Sequence, residues 1–315
     1  MNSMIHAVDS QNPSLESVMS WPVYVLITPA RNEAGFIELT IKSVIAQIVR
    51  PLRWVIVSDG STDGTDEIVR KYTTEHPWIE LLRMPERRER HFAGKVLAFN
   101  AGYERVKDLP YQAIGSMDAD ISFDPGYFAF LLQKLASDDK LGLVGTPFKD
   151  PSVRYNYHVV SIEHVSGACQ LFRRECFEQI GGYIPVKGGA IDRIANITSR
   201  MRGWKTRTFT EMSYLHHREI GRAQDGRLRA SMKDGAKDYA VGAHPVWMFC
   251  RVLYQMSKRP YILGALALGW GYIRAHFPPS ERPVSSELVK FTRQEQLRRL
   301  KHFLTGGSFR SHSSM

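Results

Sequence analysis

The sequence predicts an α/β protein built on a mostly parallel sheet with helices on both faces. Short, nearly continuous apolar runs alternate with amphipathic helical patterns from Val23 onward. The runs are rich in β-branched residues and short, as expected for buried parallel strands. Polar clusters follow three of these runs, at the strand ends where open α/β sheets bind ligands. The 315 residues, of which 43% are hydrophobic, suffice for one large core.

The predicted elements follow one another along the chain. We predict strands in VYVLIT, WVIVSD, IELLRM, AIGSMD and LGLVG, and helices over about 36–49, from about 65, over 93–106 and after Pro125. In the less regular second half we predict a helix in VSGACQLFRRECFEQI, a helix over 192–202 and one strand in TRTFTEMSYL.

The last quarter of the chain is apolar and basic. The segment 245–277 is strongly apolar, but its uncharged run over 260–273 has 14 residues, fewer than the roughly 20 that span a bilayer. Leu297, Leu300 and Leu304 then share one helical face beside several basic residues. This pattern favours a helical extension that faces a membrane and lies at its surface.

Charge and cysteine content restrict the class of protein. The formal net charge of +10 favours an anionic partner such as nucleic acid, acidic lipid or a phosphorylated substrate. The basic residues form no recognised nucleic-acid motif, so nucleic acid ranks last. The three cysteines form no CxxC pair, which fits a reducing compartment. Residues 1–20 carry no apolar run of signal-peptide length, and we expect a cytoplasmic chain with a loose N-terminal arm.

Asp118 and Asp120 form an Asp-x-Asp motif directly after the strand AIGSM. Two carboxylates at a strand end can hold a hard divalent cation that also binds phosphate oxygens. The same pattern can instead form an Asx turn or cap the next helix. Because the motif follows a hydrophobic strand of an alternating α/β pattern, we favour the metal site.

Three more charged residues lie at predicted element ends. Asp59 ends the second strand and can accept a hydrogen bond from a nucleotide base, while Thr62 or Asp63 can cap the next helix. Glu33 can bind ribose or base, or serve only as a dipole partner near a helix start. Lys95 opens a helix, where it can face a diphosphate or simply be solvated. Neither a Walker motif nor a dinucleotide glycine motif occurs.

TPARNE, VSDGSTDGT, the segment Gly94 to Asn100 and MDAD, in this order, resemble the nucleotide-binding half of family 2 glycosyltransferases, which have the GT-A fold. The resemblance extends over about residues 23–218. It implies that the nucleotide-sugar pocket is lined by Pro29, Ala30, Glu33, Asp59 and Lys95. It also implies that Asp118 and Asp120 serve ribose and metal, that the cofactor is Mg²⁺ or Mn²⁺, and that transfer inverts the anomeric carbon.

Inversion by a single displacement needs a base that takes the proton of the acceptor hydroxyl. Asp192 is the candidate, as the only carboxylate between Glu178 and Glu211, at a helix start after a Gly-Gly-Tyr turn where the family carries its acidic acceptor-side motif. The family commonly shows an acidic pair there, whereas this chain has Ile191-Asp192. The alternative is that Asp192 is only a helix cap.

His216-His217-Arg218 end the last predicted strand. One imidazole, of His217 or His216, can complete the metal shell, and Arg218 can face the diphosphate. Because side chains alternate along a strand, we expect only one of the two histidines to point inward. The segment 219–242 is either a lid over bound donor or an ordinary surface loop.

These patterns predict a GT-A-like α/β catalytic domain over 21–242, preceded by the arm over 1–20 and followed by the apolar and basic helical extension over 243–315. Within the domain, 21–150 is the nucleotide-sugar half and 151–242 the acceptor half with the lid.

The expected activity is metal-dependent, inverting transfer of the hexosyltransferase type. A nucleoside-diphosphate sugar is the expected donor and a lipid-linked saccharide the expected acceptor, in assembly of surface polysaccharide. We expect a peripheral enzyme on the anionic cytoplasmic face of the inner (plasma) membrane. A processive synthase is disfavoured because the chain has no Q-x-x-R-W motif. The alternatives are a sugar nucleotidyltransferase and a non-catalytic nucleotide-sugar-binding scaffold.

Overall fold

The computed structural model describes residues 21–86, 93–149, 161–218, 226–277 and 282–305, so the predicted arm over 1–20 lies outside the described residues. The elements up to residue 149 are β1 (Tyr24–Ala30), α1 (Ile37–Ile45), β2 (Arg53–Asp59), α2 (Thr65–Glu75), β3 (Ile79–Met84), α3 (Ala93–Glu104), β4 (Ala113–Met117), β5 (Ile121–Ser122), α4 (Tyr127–Ser137), β6 (Leu141–Gly145) and β7 (Phe148–Lys149). The later elements are β8 (Cys169–Arg173), α5 (Arg174–Gln179), α6 (Ile191–Met201), β9 (Lys205–Thr208), β10 (Tyr214–His216), α7 (Arg227–Ala240), α8 (Pro245–Gln255), α9 (Tyr261–Arg274) and α10 (Ser286–Leu304).

The main sheet has seven strands in the order β3-β2-β1-β4-β8-β6-β9. Strand β8 runs antiparallel to both of its neighbours, and the other six strands share one direction. Side chains of β1 alternate between the two faces: Tyr24 and Leu26 pack with α1 and α4, and Val25 and Ile27 pack with α3 and α5. A strand buried on both faces can therefore be apolar throughout, which confirms the predicted, mostly parallel α/β class.

Two sequence-based element assignments are wrong. The segment 165–180 was predicted as one helix, but it forms a loop, the strand β8 and the short helix α5. Periodicity cannot separate a short buried strand from a helix, and here pairing with β4 and β6 decides. The predicted strand over 206–215 is two strands, β9 and β10, which belong to different sheets.

The second sheet is small and has the order β5-β10-β7. Strand β10 pairs antiparallel with β5, so that His216 lies opposite Ile121, and parallel with β7, so that Tyr214 lies opposite Phe148. Because β5 begins four residues after the end of β4, this pairing brings the end of β10 to the carboxyl end of the main sheet.

The C-terminal helices form a packed unit in which α7 lies directly against α9. A methyl group added at Gly235 would lie 2.0 Å from the Leu268 carbonyl oxygen, and one at Gly271 would lie 2.0 Å from that of Met232. The two glycines therefore allow the helix backbones to touch. Of the predicted lid, residues 219–225 lie outside the described residues and 227–240 form α7, whose Tyr239 packs in this unit.

None of the helices in the described ranges is both long and apolar enough to cross a membrane. Helix α10 returns to the main domain, where Glu295 accepts two hydrogen bonds from Arg200 of α6 at 2.7 and 3.0 Å.

Candidate active site

The carboxyl edge of the main sheet collects the residues singled out at strand ends. Pro29 and Ala30 end β1, Asp59 ends β2 and Asp118 follows β4. Since β1 is parallel to both β2 and β4, all three ends reach the same edge. The backbone amide of Asp118 donates to the carbonyl of Ala168 at 2.8 Å, which joins this edge to the start of β8.

A carboxylate and imidazole cluster stands at this edge. Asp118, Asp120 and His216 each place one ligand atom within 4.8 Å of the others. The His216 Nε2 lies 3.7 Å from Asp120 Oδ1. The pairing of β10 with β5 creates the cluster, since the His217 amide donates to the Asp120 carbonyl at 2.9 Å. Sequence alone could not choose between the two histidines, and the structure places His216 in the cluster.

His217 takes a different position. Its Nε2 lies 2.9 Å from the Ser122 hydroxyl, and its ring stacks on Phe36 with 6.3 Å between ring centroids. The two neighbouring histidines thus point to different surroundings, as strand alternation predicts.

The cluster suits a divalent cation chemically. Asp120 is 7% exposed, and burial followed by the neighbouring Asp118 charge raises the pKa of its carboxyl group. A bound cation would relieve both effects by stabilising the ionised carboxylate. Two carboxylates and one imidazole are donors that Mg²⁺ or Mn²⁺ accepts, and both ions leave coordination positions for phosphate oxygens.

Two cations flank the cluster. Lys95 pairs with Asp118 and also donates to the Gly167 carbonyl at 3.2 Å. Burial lowers the pKa of Lys95, but the carboxylates of Asp118, Asp192 and Asp120 together outweigh burial, and the net pKa is raised. Arg218 donates to Glu33 Oε2 at 2.5 Å, and its Nε lies 3.4 Å from Asp120 Oδ2. The site therefore has carboxylates that can bind a metal cation and basic side chains that can bind an anionic group.

The loops after β1 and β2 are joined by hydrogen bonds. The Asn32 amide donates to the Ser61 hydroxyl at 3.2 Å, and the Asn32 side-chain oxygen accepts from the Thr62 amide at 2.9 Å. The Glu33 amide donates to the Thr65 hydroxyl at 2.8 Å. Asn32 has φ of 56°, a left-handed conformation that Asn tolerates better than most residues. The TPARNE and VSDGSTDGT segments thus form one connected pocket wall.

Asp63 and Asp59 have different roles in this wall. Neither cap candidate, Thr62 or Asp63, occupies the cap position of α2, which is Gly64 with φ of 91°. Asp63 accepts a hydrogen bond from the Thr65 amide at 3.1 Å, at the start of this helix. Asp59 is 5% exposed, and its carboxylate lies 3.9 Å from Arg31. Asp59 therefore stays at the strand end and is not used as the helix cap.

Asp192 lies in the first turn of α6. The cap position belongs to Ala190, with φ of 66°, so the alternative assignment of Asp192 as the helix cap is not supported. Asp192 packs against Gly167, where an added methyl group would lie 2.8 Å from the Asp192 Cβ. The same Gly167 carbonyl accepts from Lys95. One glycine therefore separates the candidate base from the Lys95 and Asp118 pair.

Sequence reasoning missed His164. Its Nε2 lies 3.7 Å from Asp192 Oδ2, although the two residues are far apart in the chain and His164 belongs to no periodic pattern. The contact between Glu33 and Arg218 was also missed as a pair, because 185 positions separate them. Only the fold brings such residues together.

Solved structures share this fold. The mannosyltransferase PcManGT from Pyrobaculum calidifontis, in complex with GDP-Man and Mn²⁺, aligns with a TM-score of 0.59 and 21% identity over 91% of this chain and 87% of that one. Staphylococcus aureus TarS 1–349 with UDP-GlcNAc aligns with a TM-score of 0.52 and 12% identity over 91% of this chain and 93% of that one. The chain thus has a GT-A-like α/β fold with its polar site at the carboxyl edge.

The chain belongs to the family described as Glycosyl transferase family 2, whose sequence profile matches residues 25–191, more than half of the chain. Chondroitin synthase of Pasteurella multocida is 27% identical over 125 residues, which are 40% of this chain and 12% of that protein. The poly-beta-1,6-N-acetyl-D-glucosamine synthase of Staphylococcus aureus is 31% identical over 117 residues, 37% of this chain and 26% of that protein. The matched region therefore spans about an eighth to a quarter of these relatives.

Proposed function

We propose that this chain transfers a sugar from a nucleoside-diphosphate sugar to an acceptor hydroxyl, with inversion at the anomeric carbon. The observation that carries the proposal is the cluster of Asp118, Asp120 and His216, flanked by Lys95 and Arg218 at the ligand edge of the sheet. Carboxylates suit a divalent cation and basic side chains suit a diphosphate, and a nucleoside-diphosphate donor with its metal needs both.

The donor would lie against the joined loops after β1 and β2. Pro29 and Ala30 form the end of β1, and Asp59 and Glu33 place carboxylates where a base N–H and ribose hydroxyls can be bound. The complexes of PcManGT with GDP-Man and of TarS with UDP-GlcNAc support a donor of this class.

The proposed cation is Mg²⁺ or Mn²⁺, held by Asp118, Asp120 and His216. When bound, it would stabilise the negative charge that develops on the departing diphosphate. Lys95 and Arg218 are placed to contact the diphosphate oxygens, for which they would exchange part of their present pairing with Asp118, Asp120 and Glu33. The Mn²⁺ in the PcManGT complex supports a metal of this kind.

Asp192 is the proposed base. Its carboxylate takes the proton of the acceptor hydroxyl while the acceptor oxygen forms a bond to the anomeric carbon. The bond from that carbon to the diphosphate oxygen breaks, and its electron pair leaves with the diphosphate. Because the acceptor enters opposite the leaving group, the configuration inverts.

We further propose that the acceptor is a lipid-linked saccharide at the cytoplasmic face of the inner (plasma) membrane, in surface polysaccharide assembly. The polysaccharide products in the names of the matched relatives support the acceptor class. The basic and apolar helices after residue 226 support the location.

A donor panel tests the reaction. The purified chain, with Mn²⁺ or Mg²⁺, is given UDP-, GDP- and dTDP-sugars, with and without membrane lipid extract, and nucleoside-diphosphate release is measured. We expect one donor class to be used, only with metal, and faster with extract. Pyrophosphate release from a sugar phosphate and a nucleoside triphosphate would mark a nucleotidyltransferase instead. Calorimetric donor binding without release from any donor would mark a scaffold.

Neighbouring histidines supply a matched pair of variants for the metal site. We expect His216→Gln to weaken Mn²⁺ binding, measured by electron paramagnetic resonance in the presence of the nucleoside diphosphate, and to raise the metal concentration needed for turnover. His217→Gln should leave metal binding unchanged, because that ring faces Ser122 and Phe36. The reverse result would assign the site to His217.

Asp192→Asn tests the base. This variant should keep calorimetric donor binding and lose transfer by about 10²- to 10⁴-fold, the usual contribution of a general base. Unchanged transfer would remove Asp192 from the mechanism, whereas lost donor binding would place it in the donor pocket.

A further inference from the structure

Helices α8 and α9 expose an unusual number of large apolar side chains. Apart from Tyr261 at its start, the exposed large apolar residues of α9 fall at helical spacing on one side: Ile262, Leu263, Leu266, Trp270 and Ile273, followed by Phe277 just after the helix. On α8 they are Val246, Phe249, Leu253 and Met256, the last at its end. We call this set the apolar face. Soluble monomers rarely expose so much apolar surface in one region without a partner.

The opposite sides of the same helices are already buried. Met248 is the buried residue of α8, and Leu268 and Tyr272 of α9 pack with it in one small core. Each helix therefore has two apolar sides: one packs against the rest of the protein, and the other is exposed. A helix that is hydrophobic all round belongs inside a protein or in contact with lipid.

The charged side chains of the segment that carries the apolar face are of one sign. Residues 245–277 contain four Lys or Arg side chains and no Asp or Glu. Arg251 points inward to Asp238, while Lys258, Arg259 and Arg274 are exposed at the helix ends. Basic side chains beside an apolar surface suit a partner with an apolar interior and an anionic border.

We propose that the apolar face docks in the plane of an anionic lipid bilayer, with Phe249 and Trp270 entering the acyl boundary and Lys258, Arg259 and Arg274 contacting lipid phosphates. The 14 residues of α9 extend about 21 Å, less than the roughly 30 Å of a hydrocarbon core, so the helix lies along the surface. A symmetric second copy fits less well, since it would bring two sets of cations together without acidic partners. The inference names the membrane partner of the proposed transferase, and its role in transfer rests on that proposed function.

The docking surface is fixed to the candidate active site by a buried carboxylate. Asp238 of α7 pairs with Arg251 of α8 and with Arg193 of α6, the latter at 2.5 Å. Helix α6 carries Asp192 in its first turn. Docking through α8 and α9 would therefore set how the acceptor side of the site faces the lipid surface.

The chain carries a natural probe for this contact. Cys250 is exposed on α8, whereas Cys169 and Cys176 are buried. An environment-sensitive fluorophore attached to Cys250 of the full chain would report lipid contact without further substitution. We expect a blue shift with vesicles of phosphatidylcholine containing one third phosphatidylglycerol, and a loss of binding at 1 M salt. An equal blue shift with pure phosphatidylcholine vesicles would overturn the proposal that the bilayer must be anionic.

Single substitutions test whether side chains of the apolar face contact the lipid. Phe249→Ser and Trp270→Ser, whose parent side chains are 63% and 55% exposed, should each weaken vesicle co-sedimentation about tenfold. Ile48→Ser is the control, because Ile48 is 73% exposed in the loop that follows α1, away from α8 and α9 in the chain. Equal effects of all three variants, or no vesicle binding by the wild-type chain, would overturn the proposal. Concentration-dependent dimerisation abolished by Trp270→Ser, without vesicle binding, would instead assign the face to a second copy.

Nucleoside-diphosphate release without lipid separates this inference from the proposed function. Trp270→Ser should keep that basal release and lose its stimulation by vesicles that contain acceptor lipid. Vesicle binding by a chain that releases no nucleoside diphosphate from any donor would support docking and refute the transferase proposal.

Discussion

The Asp238→Asn substitution tests how the C-terminal helices are held to the catalytic domain. The Asp238 residue is 2% exposed, and its carboxylate pairs with Arg193 and Arg251. An amide keeps the shape but offers one acceptor oxygen and no charge, so both guanidinium groups lose their ion pair and one of them also loses its acceptor oxygen.

The magnitude follows from burial. Breaking a buried ion pair by removing one partner costs about 3–5 kcal/mol. Because the two arginine side chains are 30% and 31% exposed, solvent recovers part of this cost, and we expect about 3 kcal/mol. With an unfolding entropy of about 2.1 cal/mol/K per residue, a chain of this length would lose about 4 to 5 °C in Tm.

The assay is differential scanning calorimetry at pH 7, with Asp234→Asn as the matched control. Asp234 lies on the same helix, is 45% exposed at its side chain and pairs with Lys237 at 3.1 Å. Its loss should cost less than about 0.5 kcal/mol. Equal Tm shifts for the two variants, or a higher Tm for Asp238→Asn, would refute the reasoning.

Three further predictions concern packing, pH and thiol reactivity. Gly271→Ala drives a methyl group into the α7 backbone and should cost about 1–3 kcal/mol in urea unfolding. Gly188→Ala, with open space around it among the described residues, should be nearly neutral, and equal costs would contradict the contact. Burial would raise the pKa of Glu295, but the neighbouring Arg200, Arg299 and Arg298 together outweigh burial and lower it. The contribution of this ionised carboxylate to the free energy of unfolding is therefore fully present above the unfolded pKa of about 4.3 and is lost as the pH falls through the lower folded pKa. Glu295→Gln should make the free energy of unfolding, measured in urea, depend less on pH in that range. An unchanged pH dependence would count against the ion pair with the arginines. Burial raises the pKa of Cys169 to about 12, so mass spectrometry after thiol labelling at pH 8 should find Cys250 modified and Cys169 unmodified in the folded chain.

Local sequence determined most of the main sheet. The apolar runs of β1, β2, β3, β4 and β6 appear at their predicted positions. The strands β1, β2, β4 and β6 are buried on both faces, which is why their runs are nearly continuous, whereas β3 at the sheet edge is only partly buried. The polar residues after those runs were also predictable, since parallel strands must end at one edge. Asp59 and Asp118 lie at that edge because each stands at the carboxyl end of a parallel strand.

Tertiary structure decided what depends on distant residues. The strand β8 was predicted as a helix, because its five residues become a strand only through pairing with β4 and β6. The choice between His216 and His217 needed the register of β10 on β5, which sets the direction of each side chain.

The same limit applies to the surroundings of Asp192 and to the exposed apolar face. Sequence nominated Asp192 but not His164, whose contact with it joins two segments that share no local pattern. Apolar content over 245–277 was visible in the sequence, yet which side chains face solvent depended on the packing of α9 against α7. A sequence records hydrophobic periodicity and residue chemistry locally, whereas the partners of each face are set only when distant elements pack together.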